Sequence, residues 1–140
     1  MAHTDAKDLT RRYVAAWNEP DPALRRKAIQ DLWTEDGAHI LQPPAEFRQV
    51  AAGLGFASAA LEARGHDELH ARVTRAYQDF VAPGTFTFRP RDNADCLRNV
   101  VKFNWEMVPS GGGEAAAVGL EILVLGPDGR IEADYQFIES

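Results

Sequence analysis

The chain has 140 residues, a formal net charge of −6 and 45% hydrophobic residues, proportions of one soluble globular domain (1–140) large enough to bury a core. Its Lys and Arg are dispersed, and the densest group, Arg25-Arg26-Lys27, suits a solvated helix face, which argues against a phosphate-tracking nucleic-acid surface. The single Cys96 excludes an internal disulfide, no Cys/His spacing suggests a zinc site, and no run approaches the roughly 20 apolar residues that span a bilayer.

The opening Met1-Ala2-His3-Thr4-Asp5 has no apolar signal segment, so the expected location is the cytoplasm. Asp5 can cap a first helix whose apolar face is Leu9, Tyr13, Ala16 and Trp17, and Asn18-Glu19-Pro20 ends it. Asp21-Pro22 restarts a helix, with aspartate as N-cap and proline at the first helical position. Leu24, Ala28, Leu32 and Trp33 form its expected stripe, Asp36-Gly37 stops it, and Ala38 to Leu41 reads as a short strand. Phe47 and Val50 suit a short helix after Pro43-Pro44, disturbed by Gly53 and Gly55. Leu69, Val73, Tyr77 and Phe80 recur at helical spacing, which predicts a helix from Asp67 to Val81, ended by Pro83-Gly84.

From there the periodicity changes to two. Phe86 and Phe88 alternate with Thr85, Thr87 and Arg89, and two apolar runs, Asn99 to Val108 and Ala115 to Leu125, flank Pro109-Ser110-Gly111-Gly112-Gly113. A third run, Ile131 to Ile138, follows Gly126-Pro127-Asp128-Gly129, where proline sets the first corner and glycine accepts the left-handed end. The predicted order is helix, helix, strand, helices, then four strands. Helices before a long meander point to an α+β fold with a curved sheet around a pocket.

That order, with Arg12-Tyr13-Val14-Ala15-Ala16-Trp17-Asn18, Leu32-Trp33-Thr34-Glu35-Asp36-Gly37, Phe103-Asn104-Trp105 and Asp128-Gly129-Arg130-Ile131, resembles the SnoaL-like branch of the nuclear transport factor 2-like superfamily, which includes ketosteroid isomerases. The resemblance covers nearly the whole chain, with Ala45 to Ala82 the least typical part. It implies a cone: a curved antiparallel (mixed) sheet wrapped around N-terminal helices, an apolar cavity open at one end, and homodimers formed through the convex face. It further implies a small lipophilic or polyketide-like ligand and no cofactor or metal.

The resemblance to ketosteroid isomerases nominates individual residues. Those enzymes use a tyrosine and a protonated aspartic acid as an oxyanion hole and a second aspartate as base. Tyr13 matches the tyrosine, and Glu121, an acid inside the apolar run Val118 to Leu125, falls on the neutral acid, where burial would favour its protonated form. The base is missing, since one alignment puts Leu41 there and the other Gln42. His39, two residues from Leu41, could shuttle a proton in its stead. Asp134, on the face of the last strand shared by Glu132, Gln136 and Ile138, could pair with it, unless that face meets solvent or a dimer partner. The catalytic set is therefore Tyr13, Glu121, His39 and Asp134; the ligand-contacting set is Trp17, Gln42, Phe103, Trp105 and Gln136.

Other readings compete at several positions. Glu121 could form a salt bridge to Arg98 or Lys102 on the adjacent strand, and Tyr13 could be a core tyrosine with a satisfied hydroxyl. His66 and His70 share a helical face, but no acidic third ligand accompanies them, so a solvated face is expected. Gly111-Gly112-Gly113 opens no helix, so it is not a phosphate loop, and Ser58 and Ser110 lack the glycines of a nucleophile elbow. Two functions follow: cofactor-independent cyclase, isomerase or dehydratase chemistry, or a ligand-binding or dimerisation module without turnover.

Overall fold

Asp5 accepts a hydrogen bond from the Asp8 N–H (3.1 Å) and opens helix α1, Ala6–Asn18. In a computed structural model of the chain, residues 5–56 and 59–139 are described; the opening tetrapeptide read above for a leader, and Ser58, lie outside them. Leu9, Tyr13 and Ala16 are buried along one face of α1. Asn18 fixes the far end of that helix to the sheet by pairing with the Phe88 backbone, its Nδ2 donating to Phe88 O (2.7 Å) and its Oδ1 accepting from Phe88 N (2.9 Å).

Asp21 caps α2, Pro22–Leu32, by accepting from the backbone N–H of Ala23 and Leu24. The expected stripe of α2 is corrected in two respects. Leu24 is exposed, and the buried face is Arg25, Ile29 and Leu32. Trp33 is not helical: it takes extended backbone and begins strand β1, Trp33–Leu41, five residues before the predicted start. Irregular pairing between Trp33 and Ala38 breaks the alternation that a sequence reading needs. Gly37 sits inside this irregularity, where a Cβ would come within 2.8 Å of the Ile131 carbonyl.

Helix α3, Ala45–Gly53, follows Pro44, and a short strand β2, Leu61–Arg64, absent from the predicted order, pairs antiparallel with β1. The helix predicted over 67–81 is α4, Gly65–Ala76, continued by one wider π-helical turn, Tyr77–Val81, closed by Ala82 N donating to Tyr77 O (2.8 Å). His66 and His70 are not simply solvated. Their Nε2 atoms reach the carbonyls of Trp33 (2.9 Å) and Pro22 (3.3 Å), tying α4 to the start of β1 and the start of α2.

The C-terminal part holds five strands: β3 (Phe86–Pro90), β4 (Asp95–Leu97), β5 (Val100–Pro109), β6 (Ala117–Leu125) and β7 (Ile131–Ile138). The added one is β4, a three-residue strip carrying the exposed Cys96. The Gly126-to-Gly129 turn forms as read, with Gly129 at φ +82° and its N–H donating to Gly126 O (3.0 Å). The seven-stranded sheet runs β2-β1-β7-β6-β5-β3, with β4 also on β5, and all pairs are antiparallel except β1 with β7. It is an α+β cone: α1 packs on β3 and β5, α4 packs on β1, and the buried core of Leu9, Tyr13, Ile29, Trp33, Phe103, Leu123 and Ile131 lies between. No helix among the described residues is long and apolar enough to cross a membrane.

Candidate active site

Strand alternation and the sheet's curl decide which side chains enter the cone. On β6, Glu121 and Leu123 are fully buried; on β7, Asp134 is fully buried, while Tyr135 and Phe137 are each 40% exposed on the outer face. On β5, Phe103 and Trp105 face inward, and Glu106 faces outward to pair with Arg89 and Arg91. The inward face encloses a cavity of about 300 Å³. Trp17, Leu41, Phe80, Phe88, Met107 and Ile138 supply its apolar wall, and Tyr13, His39, Arg72, Trp105, Glu121 and Gln136 its polar side.

Most of the residues nominated from sequence converge here. Tyr13, His39, Glu121, Trp17, Gln42, Trp105 and Gln136 line the cavity, and Leu41 and Gln42, the alternatives at the base position, both do so. Phe103 does not. It stands behind Tyr13 in the core, edge-on to that ring with centroids 5.3 Å apart, because its inward position falls deeper in the cone than that of Trp105. Asp134 is also outside the lining, screened by the groups that contact it.

Separate hydrogen bonds fix the polar groups. The Tyr13 hydroxyl donates to Asp134 Oδ2 (2.6 Å), and the Trp105 indole N–H donates to Glu121 Oε1 (2.9 Å). Trp105 reaches Glu121 by lying flat over Gly119, its cross-strand partner, whose missing Cβ would otherwise occupy the ring. Glu121 has no ion pair among the described residues, so the expected alternative to Arg98 or Lys102 is not formed. Burial, and then the neighbouring Asp134 carboxylate, push the Glu121 pKa well above the usual carboxyl range. The remaining oxygens, Glu121 Oε2 and Asp134 Oδ1, are buried without a hydrogen-bond partner, and a proton on Glu121 would give the two carboxyls one to share. Burial followed by the Asp134 charge likewise keeps the Tyr13 hydroxyl protonated, raising it well above 10.0.

His39 belongs to a second group. Its Nδ1 accepts from Arg72 Nη1 (2.9 Å), which fixes the tautomer: Nε2 carries the hydrogen and donates to Gln136 Oε1 (2.8 Å). The Gln136 amide NH₂ is then left as a donor beside Glu121, its cross-strand neighbour. Burial, aided by the Arg72 charge and opposed by Asp134, lowers the His39 pKa, so the imidazole is neutral. Its lone pair is occupied by Arg72.

Arg72 is the polar cavity residue that sequence reasoning missed. Its one signal was its place beside Leu69 and Val73, the two buried positions of α4. His39, Glu121 and Asp134 also bring one nitrogen or oxygen each within 4.8 Å of one another, the donor set of a metal site. Those residues do not fit a cation as arranged. Both imidazole nitrogens are engaged, a guanidinium stands on one of them, and the carboxyls are matched to a proton.

No protein-family model matches the sequence, and no curated protein does. Solved structures share the fold. A candidate isomerase of the SnoaL-like family from Agrobacterium tumefaciens aligns with TM-score 0.76 at 24% identity, over 96% of this chain and 97% of the other. A SnoaL-like protein of unknown function from Burkholderia thailandensis aligns at 0.66 and 18% identity, over 99% and 100%. A phenazine biosynthesis-related protein from Pseudomonas aeruginosa aligns at 0.55 and 16% identity, over 96% and 81%.

Proposed function

Because the chain has the fold of SnoaL-like and NTF2-like proteins and encloses a cavity with a neutral buried acid on its wall, we propose that it binds a small lipophilic molecule and moves protons on it, without a cofactor, as an isomerase, cyclase or dehydratase. The observation that supports this reading is Glu121. When its proton turns from Asp134 to a ligand oxygen, the Glu121 carboxyl can donate to that oxygen as it gains negative charge, and the Gln136 amide offers a second donor. Trp105 holds the Glu121 carboxyl in position, and Tyr13 holds Asp134 beside it. His39 is the nearest group able to accept a proton from carbon, once Arg72 releases its Nδ1.

The occupied lone pair of His39 favours a second reading, a cytosolic binding module without turnover. Deuterium wash-in separates the two. Small cyclic ketones are incubated with the protein in D₂O, and binding and exchange of their α-protons are followed by NMR. Exchange that disappears in Glu121→Ala and His39→Ala while binding persists supports the enzyme. Saturable binding without exchange supports the module, and no binding of any ketone refutes both. The same reading includes a homodimer through the outer sheet face, where the cross-strand pairs Leu120–Phe137 and Ile122–Tyr135 leave apolar surface exposed. Light scattering should then give twice 15.5 kDa, and a monomer mass would refute the pairing.

A further inference from the structure

Resting on the reading of the cone as a ligand site, we infer that its ligand is a carboxylic acid, held as the carboxylate by Arg72. The guanidinium lines the cavity, is about half-buried, and has no ion pair among the described residues. A desolvated cation without a counter-ion is costly, and a ligand anion offsets that cost. The acids that act on Arg72 through space are engaged elsewhere. Glu62 accepts from Arg64 Nε (3.2 Å), Glu68 from the Arg64 N–H (2.9 Å), and Asp134 from Tyr13 (2.6 Å).

The pattern of its hydrogen bonds matters as much as its charge. Every bond that Arg72 makes uses Nη1, which donates to His39 Nδ1, His39 O (3.0 Å) and Leu61 O (3.1 Å). These anchors hold the guanidinium plane against β1 and β2. Nε and Nη2 have no partner among the described residues. Those two N–H groups lie on one edge of the guanidinium, and that edge matches the two oxygens of a carboxylate. The remainder of the cavity is apolar, so the ligand class is a small lipophilic acid. With about 300 Å³ to fill, the site stands at the lower end of ligand pockets, which run from roughly 300 to 1,000 Å³.

The test compares each acid with its own methyl ester, using trans-cinnamate, octanoate and 2-naphthoate at pH 7 and low salt. Binding is read by calorimetry, on wild type, Arg72→Met and Arg72→Lys, with thermal melts confirming that each variant is folded. For at least one pair, the wild type should bind the acid roughly ten- to a hundredfold more tightly than the ester. Arg72→Met should erase that preference, so that acid and ester bind alike, and Arg72→Lys, which keeps the charge but not the fork, should retain only part of it. Esters that bind as well as their acids to wild type overturn the inference and leave the ligand cavity standing, as does a preference that survives in Arg72→Met. Failure of every acid and every ester to bind overturns both.

Discussion

Replacing Glu121 with glutamine distinguishes a buried acid from a buried carboxylate. Glutamine keeps an oxygen to accept from Trp105 Nε1, and its amide N–H takes the position of the carboxyl O–H beside Asp134, so the variant copies the protonated form. In the wild type the raised Glu121 pKa means that the folded state binds more protons than the unfolded state once pH exceeds about 4.5. This contribution to stability is complete below that pH and is lost as pH rises, by up to about 1.4 kcal/mol per unit, until the folded pKa is passed. His39 acts with the opposite sign: its lowered pKa removes stability as pH falls below its ordinary 6.5. Tyr13 enters only above 10.0. The interval from about pH 4.5 up to the raised pKa therefore carries the Glu121 signature, because His39 is common to wild type and variant. Urea unfolding of wild type and Glu121→Gln at three pH values across it should show the variant gaining on the wild type by up to about 1.4 kcal/mol per unit. Two curves that run parallel would refute the protonated acid, and with it the donor role proposed for Glu121.

Three further expectations follow from the same geometry. Gly119→Ala places a methyl group where the Trp105 ring lies, which should cost roughly 1–3 kcal/mol and lower the Tm by several degrees. The Trp105 indole N–H resonance should shift as its bond to Glu121 is lost, and an unmoved resonance would contradict the packing. Arg25→Ala removes donors to Glu19 O (2.7 Å) and Thr74 Oγ1 (3.0 Å) and a guanidinium 4.5 Å over the Tyr77 ring, a loss of about 2–4 kcal/mol read from the urea midpoint. Zinc or manganese added in excess should leave the Tm unchanged, because His39 has no free nitrogen for a cation; a rise that Asp134→Asn abolishes would restore the metal reading.

Legibility in the sequence followed the physical signals. Caps and turns were readable because single residues determine them: Asp5, Asp21 and the Gly126-to-Gly129 turn each make the expected bonds. Strands β5 to β7 were readable from alternation, and Glu121 from being an acid in an apolar run. The start of β1 was not, because Trp33 continues an apparent helical stripe although its side chain is fully buried against the sheet. Strand β2 was not, because only Ala63 of its four residues is buried and pairing with β1 alone defines it. Arg72 had no signal beyond its place beside Leu69 and Val73. One arginine on an amphipathic helix looks like surface, and only the tertiary fold brings α4 against His39. Sequence spacing also could not show that Phe103 stops short of the cavity, since alternation gives a face but not a depth.

The position of β7 governs the order in which the molecule can assemble. Among the described residues it alone joins β1 and β2 to the rest of the sheet, through the parallel pairing of His39 with Asp134 and Leu41 with Gln136. A chain emerging from the ribosome N-terminus first exposes β1 long before its parallel partner β7 exists. The helices and the β5–β6 hairpin form from local contacts, but the cone cannot close until Ile131–Ile138 is made. Loop closure over so long a separation is slow, so docking of this final strand should set the refolding rate. The pocket and its proton-sharing carboxyls therefore come into being together, in the last step of folding.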